Sequence, residues 1–483
     1  MGLFRKILQC CFLCMITAAA TAQNIDVEVT EANKLLQVTK DSAANFIVGQ
    51  VNIIGNNKTK DYIIRREIHL HTGDTIHLSA VNKQLQNIRQ QVYNINLFNE
   101  VKVELVNITS ESFDINISLK ERWYIFPLLK FQLVDRNINE WIQKYDADLG
   151  RVVYGVKFTH YNLSGRRDLL RLTLLNGFTR NVSLSYFRPL SNRNLTQGFS
   201  IAGGYVENKE FIYKTSYDNK PMQFNNGDFS RKNTFFGVGF NYRKDILHSN
   251  YFNVTFNHIE VTDSLLKQPY NPYYFNSEKT SKNFVDFSYT WQYINANNAV
   301  YPLKGTTASI RLIKRGFGFS GGINMFSIEG TYNKYWPLSR TWFASMQLSG
   351  KTTLPFDQPY INQRALGYGD ANLRGLELYV VDGVAYGLAR STLKKKLFTV
   401  NVPNIFKSKK YPIIPFTFFA KTYGDLGYAY NKKMFETTLS NKLLYTGGFG
   451  IDIYTLYDVT LRLEYSFNQL GKNGLFLQAQ SGL

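Results

Sequence analysis

Arg374 and Asp425 are the two charged residues whose surroundings in the sequence are most typical of a buried ion pair. Arg374 lies in a long glycine-rich stretch, residues 362–377. Stretches of this length without secondary structure are usually functional in compact proteins. Asp425 lies on a later predicted strand between glycines, which permit another backbone to approach closely. An arginine and a carboxylate can form two parallel charge-assisted hydrogen bonds, so we expect the loop to fold back and dock on that strand.

The predicted docking residues are Leu373, Arg374, Gly375 and Leu376 on the loop and Tyr423, Asp425 and Gly427 on the strand. A second arginine, Arg315, precedes Gly316 and Phe317 and also fits the loop pattern. Its predicted connection is too short to descend into a lumen, because an extended residue adds only about 3.3 Å. Arg374 is therefore the favoured docking residue.

The sequence predicts no enzyme. No serine, cysteine or lysine stands beside an obvious histidine partner that would activate it as a nucleophile. His69 and His71 form a His-x-His pair, but no cysteine or carboxylate cluster joins them, as a metal site would require. We therefore predict no catalytic residue, no metal and no cofactor.

The N-terminus has the pattern of an export signal. Arg5 and Lys6 precede a short apolar run that ends in Ala20-Thr21-Ala22, a small-x-small cleavage site. Residues 1–22 are predicted to be a signal peptide, and the polar residues 23–45 a linker. All three cysteines of the chain fall within the signal, so the mature protein is expected to have no disulfide.

The chain is strongly basic, with a formal net charge of +20 at pH 7. Nucleic acid is one class of partner for such a charge. An exported protein meets anionic lipid head groups instead, which attract basic residues near the membrane surface. Membrane lipids are therefore the favoured partner, and nucleic acid is not.

Residues 123–483 alternate large apolar and polar side chains, as in Val285–Tyr293 and Thr460–Phe467. No apolar run after the signal is long enough for a membrane helix, and a membrane protein without such runs must be a closed barrel. Short and long connections alternate along the chain, which favours an even number of strands. We predict sixteen. The predicted strands lie near 123–132, 151–161, 168–177, 181–189, 197–206, 232–243, 250–262, 283–294, 304–314, 322–335, 341–352, 384–399, 414–429, 443–455, 458–467 and 474–483.

Residues 46–121 have a different pattern. A strand through Val48 and Ile53 is followed by a helix that Thr59 can cap, then by a helix with apolar residues at helical spacing, then by two alternating strands. This predicts one small β-α-α-β-β domain before the barrel. The fold class is thus mainly β, a sixteen-stranded antiparallel transmembrane β-barrel with a small domain in front of it.

Four motifs resemble those of one family, the BamA/TamA/TpsB outer-membrane assembly superfamily. Phe98-x-x-Val101-x-Val103 resembles a POTRA domain, and Leu373-Arg374-Gly375-Leu376 resembles the (V/I)RG(F/Y) motif of the sixth outer loop. Tyr423-x-Asp425-x-Gly427 is similar to the F-x-D-x-G strand motif, and Tyr301-Pro302-Leu303-Lys304-Gly305 to the P-x-x-G entry to strand nine. The resemblance covers essentially everything from Phe46 onward.

The resemblance implies an outer-membrane protein that inserts or secretes unfolded client proteins, with one POTRA domain in the periplasm and accessory periplasmic lipoproteins as possible partners. Family members that insert barrels commonly carry several POTRA domains, whereas this sequence shows one, so the branch stays open between insertase and secretion channel. A passive pore for small solutes is the competing class. Where relatives carry a glutamate on strand twelve, the nearest match is Lys394, and a second cation there would weaken the ion pair of Arg374.

The first and last strands are predicted to form a weak seam. Pro127 lacks a backbone donor, and proline within sheets is confined to edges, strand starts and bulges. The last strand, which contains Leu475 and Leu477, is poor in β-branched residues and ends in Ser481-Gly482-Leu483. We therefore expect the barrel to open laterally between 123–132 and 474–483.

Overall fold

The computed structural model describes residues 35, 44–133, 146, 148–318, 322–404, 412–432 and 435–480. The predicted signal peptide and nearly all of the predicted linker lie outside these residues. None of the helices among the described residues is long and apolar enough to span a membrane.

The N-terminal part of the chain is a four-stranded sheet covered by two helices. The sheet has the order β2-β1-β4-β3, with β1 and β4 parallel and the other pairs antiparallel. Its elements are β1 (Asn45–Ile54), α1 (Asp61–Arg65), β2 (Thr75–His77), α2 (Leu78–Tyr93), β3 (Phe98–Val106) and β4 (Ser112–Glu121).

The core of this sheet forms because apolar residues alternate along β4 and recur at helical spacing along α2. Val81, Leu85, Ile88 and Val92 form the buried face of α2, which packs on the alternating apolar residues of the strands. The short strand β2 was not predicted. Thr59 does not cap α1 as we expected, because its hydroxyl donates to the carboxylate of Glu121 at 2.6 Å.

The remainder of the described chain forms a sixteen-stranded antiparallel sheet that curls into a barrel. The sixteen predicted strands are confirmed, with ends that differ by a few residues. They are β5 (Ile125–Leu133), β6 (Val152–Tyr161), β7 (Leu169–Gly177), β8 (Thr179–Arg188), β9 (Gln197–Asn208), β12 (Arg231–Tyr242), β13 (His248–Val261), β14 (Ser281–Ala296), β15 (Gly305–Arg315), β16 (Met325–Pro337), β17 (Trp342–Leu354), β18 (Ala385–Pro403), β19 (Ile413–Tyr430), β20 (Leu443–Tyr454), β21 (Thr460–Asn468) and β22 (Gly474–Gln480). A separate hairpin, β10 (Phe211–Thr215) and β11 (Pro221–Phe224), lies in the connection between β9 and β12.

The register places apolar side chains together on the outer surface of the barrel. Val238 on β12 pairs with Val254 on β13, which pairs with Phe287 on β14, and all three side chains are exposed. Partners in adjacent strands share a face of the sheet. In the interior, by contrast, Asp425 and Glu464 are buried. Apolar side chains on the outer surface and polar side chains in the interior are the pattern of a membrane barrel.

The N-terminal sheet contacts the end of the barrel that carries the short turns. The guanidinium of Arg122 donates to Oδ2 of Asp458 at 2.6 Å, and both side chains are buried. Asp458 lies in the turn between β20 and β21, and it also accepts from the hydroxyl of Tyr93 at 3.0 Å. Burial alone would raise the pKa of Asp458, but the charge of Arg122 and the hydrogen bonds to Asp458 outweigh burial and lower the pKa.

A second contact joins the two parts through Glu67, next to α1. Both terminal nitrogens of Arg243, the residue that follows β12, donate to the carboxylate of Glu67. Arg66 donates to the backbone oxygens of Leu195 and Arg243, each at 2.6 Å. Burial opposes ionisation of Glu67, yet Arg243 and the nearby arginines hold its pKa below the ordinary value.

Candidate functional site: the interior loop

The loop between β17 and β18, residues 355–384, lies inside the barrel. Its hydrophobic residues pack against the inner faces of three strands, where they form one buried cluster with Leu388 of β18, Ala429 of β19 and Leu444 of β20. The loop has some structure of its own, because Leu366 and Val381 exchange backbone hydrogen bonds at 3.2 and 2.8 Å. Burial of apolar side chains therefore anchors the loop independently of its charged contacts.

Arg374 is the charged anchor of the loop. Its Nε and its backbone amide both donate to Oδ2 of Asp425, at 2.9 and 3.0 Å, and a terminal nitrogen donates to Oδ1. The other terminal nitrogen donates to Oγ1 of Thr392 at 2.9 Å. The guanidinium carbon lies 4.0 Å from the centre of the Tyr423 ring, within the range of a cation–π contact.

The two glycines of the predicted motifs permit this close approach. Gly375 has φ +90°, and a Cβ atom there would lie 2.6 Å from Cβ of Ser466. A Cβ atom at Gly427 would lie 2.8 Å from Cδ1 of Leu373. Leu373 and Leu376 are both buried, so these glycines leave the space into which the loop packs.

The structure corrects the expectation about Lys394. Thr392, two residues earlier on β18, faces Arg374. Lys394 instead pairs with Asp452 at 3.1 Å and lies 4.0 Å from the centre of the Tyr301 ring. No second cation from Lys394 therefore competes for Asp425.

Asp452 belongs to a second polar cluster deeper in the lumen. It accepts from the hydroxyl of Tyr301 at 2.9 Å and forms an ion pair with Lys421. Lys421 in turn pairs with Glu464 of β21 at 2.5 Å. The cluster lines a cavity of about 760 Å³ below the docked loop.

Arg390 and Glu377 also hold the loop, and the sequence did not single them out. Arg390, on β18, donates to the backbone oxygens of Asp370 and Asn372. Glu377 accepts from the backbone amide of Gly375 at 2.7 Å and from Nε2 of Gln478 at 3.3 Å. The loop is therefore connected to β22, the last strand of the barrel.

The alternative arginine, Arg315, pairs with another carboxylate, and a terminal nitrogen donates to Oδ1 of Asn362 in the interior loop at 3.1 Å. Nε and a terminal nitrogen of Arg315 donate to the carboxylate of Asp286, at 2.9 and 2.8 Å, across the pair β14–β15. A Gly-x-Ser-x-Gly match follows it at 318–322. The chain beyond that match enters strand β16, whereas the nucleophile elbow of hydrolases joins a strand to a helix.

The predicted seam residues lie on the two end strands of the sheet. Pro127 on β5 pairs with Phe158 of β6, and Leu475 and Leu477 on β22 pair with β21. Leu475 and Leu477 are 67% and 75% exposed. Residues 481–483, the end of the predicted last strand, lie outside the described residues.

Two family profiles match the sequence. The POTRA profile, described as surface antigen variable number repeat, matches residues 46–122. The profile of the Omp85 superfamily domain matches residues 162–396.

One curated relative is the outer membrane protein assembly factor BamA of Neorickettsia risticii (strain Illinois), which is 32% identical over 166 residues. The match covers 34% of this chain and 20% of that protein. The matched part thus spans about a fifth of the length of the curated relative.

Two solved structures are similar over most of the chain. BamA from Haemophilus ducreyi lacking POTRA domains 1-3 has 16% sequence identity and a TM-score of 0.50, with 90% of this chain and 84% of that chain covered. CdiB from Escherichia coli has 12% identity and a TM-score of 0.52, with 90% and 75% covered. At these identities the likeness shows a shared fold.

Proposed function

Since the chain belongs to the Omp85 superfamily, we propose that it inserts unfolded client proteins into the bacterial outer membrane, or secretes them across it, through a laterally opening barrel. The mechanism uses no covalent chemistry and no cofactor. It needs a strand edge that a client can pair with and a loop that holds the barrel in shape around that edge.

The observation that carries the proposal is the pairing of the two end strands. Among the described residues, β5 pairs with β6 and β22 pairs with β21, and no ladder joins β5 to β22. The unpaired donors and acceptors of a strand edge can template another strand. A client segment in extended conformation can therefore add to this edge.

The N-terminal sheet is proposed as the POTRA domain that receives the client in the periplasm. Strands β2 and β3 are the edges of this sheet. Addition of a client strand to such an edge uses main-chain hydrogen bonds, which tolerate many sequences. Accessory lipoproteins are proposed partners on the same side of the membrane.

A passive pore is less well supported. The interior loop occupies the lumen, where it is fixed by Arg374 and by a buried apolar cluster. On the opposite side from the N-terminal sheet, Asn219 of one outer loop donates to the backbone oxygen of Val380 and accepts from the amide of Leu439. Three outer connections are thereby tied together, which disfavours a permanently open channel.

The proposal is tested by locking the seam. Single cysteines are placed in β5 and in β22, in a variant whose Cys10, Cys11 and Cys14 are replaced by serine, and pairs that form a disulfide are selected. We expect the oxidised protein to lose client assembly in proteoliposomes and to regain it on reduction. Full assembly by the oxidised protein would overturn the lateral opening. A cysteine pair joining β13 to β14 is the matched control, because that seam is expected to stay closed.

A further inference from the structure

Strands β18 and β19 are longer than their neighbours at the end of the barrel where the N-terminal sheet lies. The pairing of β17 with β18 ends at Trp342 and Lys395, and the pairing of β19 with β20 ends at Thr417 and Tyr454. The two strands nevertheless continue to pair with each other as far as Pro403 and Ile413. We name residues 397–403 and 413–418 the long ribbon.

The outward face of the long ribbon is apolar. A register shift between Lys396 and Phe398 changes the alternation in β18, as a β-bulge does. Beyond the shift, three cross-strand pairs share the outward face with the lipid-facing surface of the barrel. These pairs are Phe398 with Phe418, Val400 with Phe416, and Val402 with Ile414.

This face continues the membrane surface of the barrel without a break. Phe418 pairs with Ile453 of β20, and Ile453 pairs with Leu461 of β21. The rings of Phe398 and Phe418 are 4.8 Å apart. The last row that extends beyond the ribbon therefore reads Phe398, Phe418, Ile453, Leu461 and Ala479. Two further apolar rows lie below it on the ribbon alone.

The two extra rows reach a depth that matches the lipid interface. Each row adds two residues, or about 6.7 Å along a strand, so the rows add about 13 Å. Strand tilt reduces this to roughly 10 Å along the barrel axis, and segments that lie at a membrane interface bury their apolar face to about 5–10 Å. Val400 and Val402 are 43% and 36% exposed, so the face has no protein cover among the described residues.

The basic charge around the long ribbon indicates what covers its outward face. The sequence from Lys394 to Lys421 contains no aspartate or glutamate. Lys395 is exposed at the start of the ribbon and lies 5.2 Å from the centre of the Trp342 ring. An apolar face bordered by tryptophan and lysine suits a bilayer surface with anionic head groups.

We propose that the long ribbon is a lipid-binding element, which inserts its outward face into the head-group region of the leaflet on the side of the N-terminal sheet and prefers anionic phospholipid. The ribbon thereby extends the membrane contact of the barrel beside the turn that holds Asp458. This inference is independent of the proposed function, because it concerns lipid and not client.

The test compares the two faces of the ribbon. Nitroxide labels are attached to Val400→Cys, on the outward face, and to Asn401→Cys, on the opposite face, in the full chain with Cys10, Cys11 and Cys14 replaced by serine. The protein is reconstituted in vesicles of phosphatidylethanolamine and phosphatidylglycerol. Collisions with oxygen, which concentrates in lipid, and with a water-soluble nickel chelate are then measured. Val254→Cys, on the lipid-facing wall, provides the lipid reference.

We expect the label at 400 to collide more with oxygen than with the nickel chelate, as the label at 254 does, and the label at 401 to show the reverse order. Equal exposure of 400 and 401 to the nickel chelate would overturn the proposal. A second result would also overturn it. If the label at 400 collided with the nickel chelate in lipid vesicles but was shielded from both reagents in native outer membranes, a protein partner would cover the face.

The anionic preference has its own measurement. In vesicles of phosphatidylcholine alone, the nickel-chelate exposure of the label at 400 is expected to rise. Lys395→Gln is expected to reduce the difference between the two vesicle compositions. An unchanged difference in that variant would refute the role of this lysine.

Discussion

One carboxylate oxygen of Asp425 accepts hydrogen bonds from both the backbone amide and the side-chain Nε of Arg374, at 3.0 and 2.9 Å. The contact therefore fixes the main chain of the interior loop as well as its side chain. The side chain of Asp425 is fully buried, and that of Arg374 is 14% exposed. A charge-assisted pair of this kind contributes about 1.5–3 kcal/mol for each hydrogen bond, and removal of one partner leaves the other charge buried.

Arg374→Ala is expected to release the loop while the barrel still folds. The free energy of loop docking is expected to decrease by about 3 kcal/mol or more. The barrel is unaffected because Arg374 is not part of the sixteen-stranded ladder. Thr392→Val is the matched control, because it removes only one hydrogen bond to the same guanidinium and leaves Asp425 paired, at an expected cost of about 1.5 kcal/mol. Heat-modifiable migration reports the barrel, and proteolysis of the loop reports its docking. Full client assembly by a protein with Arg374→Ala would contradict a role for the pair.

Gly375→Ala is expected to disturb the loop more than Gly369→Ala. Both glycines have positive φ, +90° and +58°, so an alanine is strained by about 1–2 kcal/mol at either site. At Gly375 the added Cβ would also lie 2.6 Å from Ser466, whereas nothing lies within 4 Å of it at Gly369. Proteolysis of the interior loop in the two variants measures the difference. Equal sensitivity would show that close approach to β21 is unimportant.

The positions of the strands and the two docking motifs could be predicted from the sequence because they depend on local patterns. Alternation with period two marks a strand wherever one face meets lipid. The same alternation cannot tell Thr392 from Lys394, because both face the lumen, and only the register across β18 and β19 decides which of them meets Arg374. The prediction therefore named the right strand, β18, but the wrong residue on it.

The contacts of Glu377 and Arg390 were missed for a related reason. The lumen contains many polar residues on different strands, and their pairing depends on how the closed sheet brings distant segments together. The long ribbon was missed because a one-residue bulge at Leu397 reverses the alternation, so that residues 398–403 no longer continue the pattern of β18.

Acid is expected to loosen the N-terminal sheet from the barrel. The pKa of Glu67 is lowered in the docked state, since Arg243 and its neighbours outweigh the effect of burial. A carboxyl with a lowered pKa stabilises docking at pH values above its free value of about 4.3, and this contribution is lost as the pH falls through the lower, docked pKa. Distances between spin labels on α2 and on the turn after β12, recorded at neutral and acid pH, measure the release.

Glu67→Gln should separate this effect from general acid unfolding. The variant lacks the titrating group, so its label distances at neutral pH are expected to resemble those of the original protein in acid, at least in part. The contact between Arg122 and Asp458 remains in the variant and holds a second point of the interface. A variant whose response to acid equals that of the original protein would exclude Glu67 as the sensor.

A fragment of residues 46–121 is expected to fold alone. Its core consists mostly of residues from its own strands and helices, with Leu35, Tyr124 and Tyr161 as contacts from outside the domain. Circular dichroism with thermal unfolding tests this expectation. Deletion of residues 46–121 should leave the barrel in the membrane and abolish client assembly, and unchanged client levels after deletion would favour the passive pore.

The last prediction concerns coupling between the interior loop and the seam. Nε2 of Gln478 donates to Oε1 of Glu377 at 3.3 Å, and Nδ2 of Asn468 donates to the backbone oxygen of Gly375 at 2.7 Å. The docked loop thus contacts both β21 and β22, and β22 has only seven residues. Because β22 pairs with one neighbour in the described residues, this contact is expected to restrain it.

Glu377→Ala is accordingly expected to free β22 without undocking the loop, since Arg374 and the apolar cluster remain. The readout is the rate of disulfide formation between cysteines in β5 and β22, which should change several-fold in the variant. Gln478→Ala should produce the same change, and the double variant should add little, as residues in direct contact are not additive. If each substitution alone had no effect on that rate while Arg374→Ala changed it, the loop would act on the seam through β19 and not through β22.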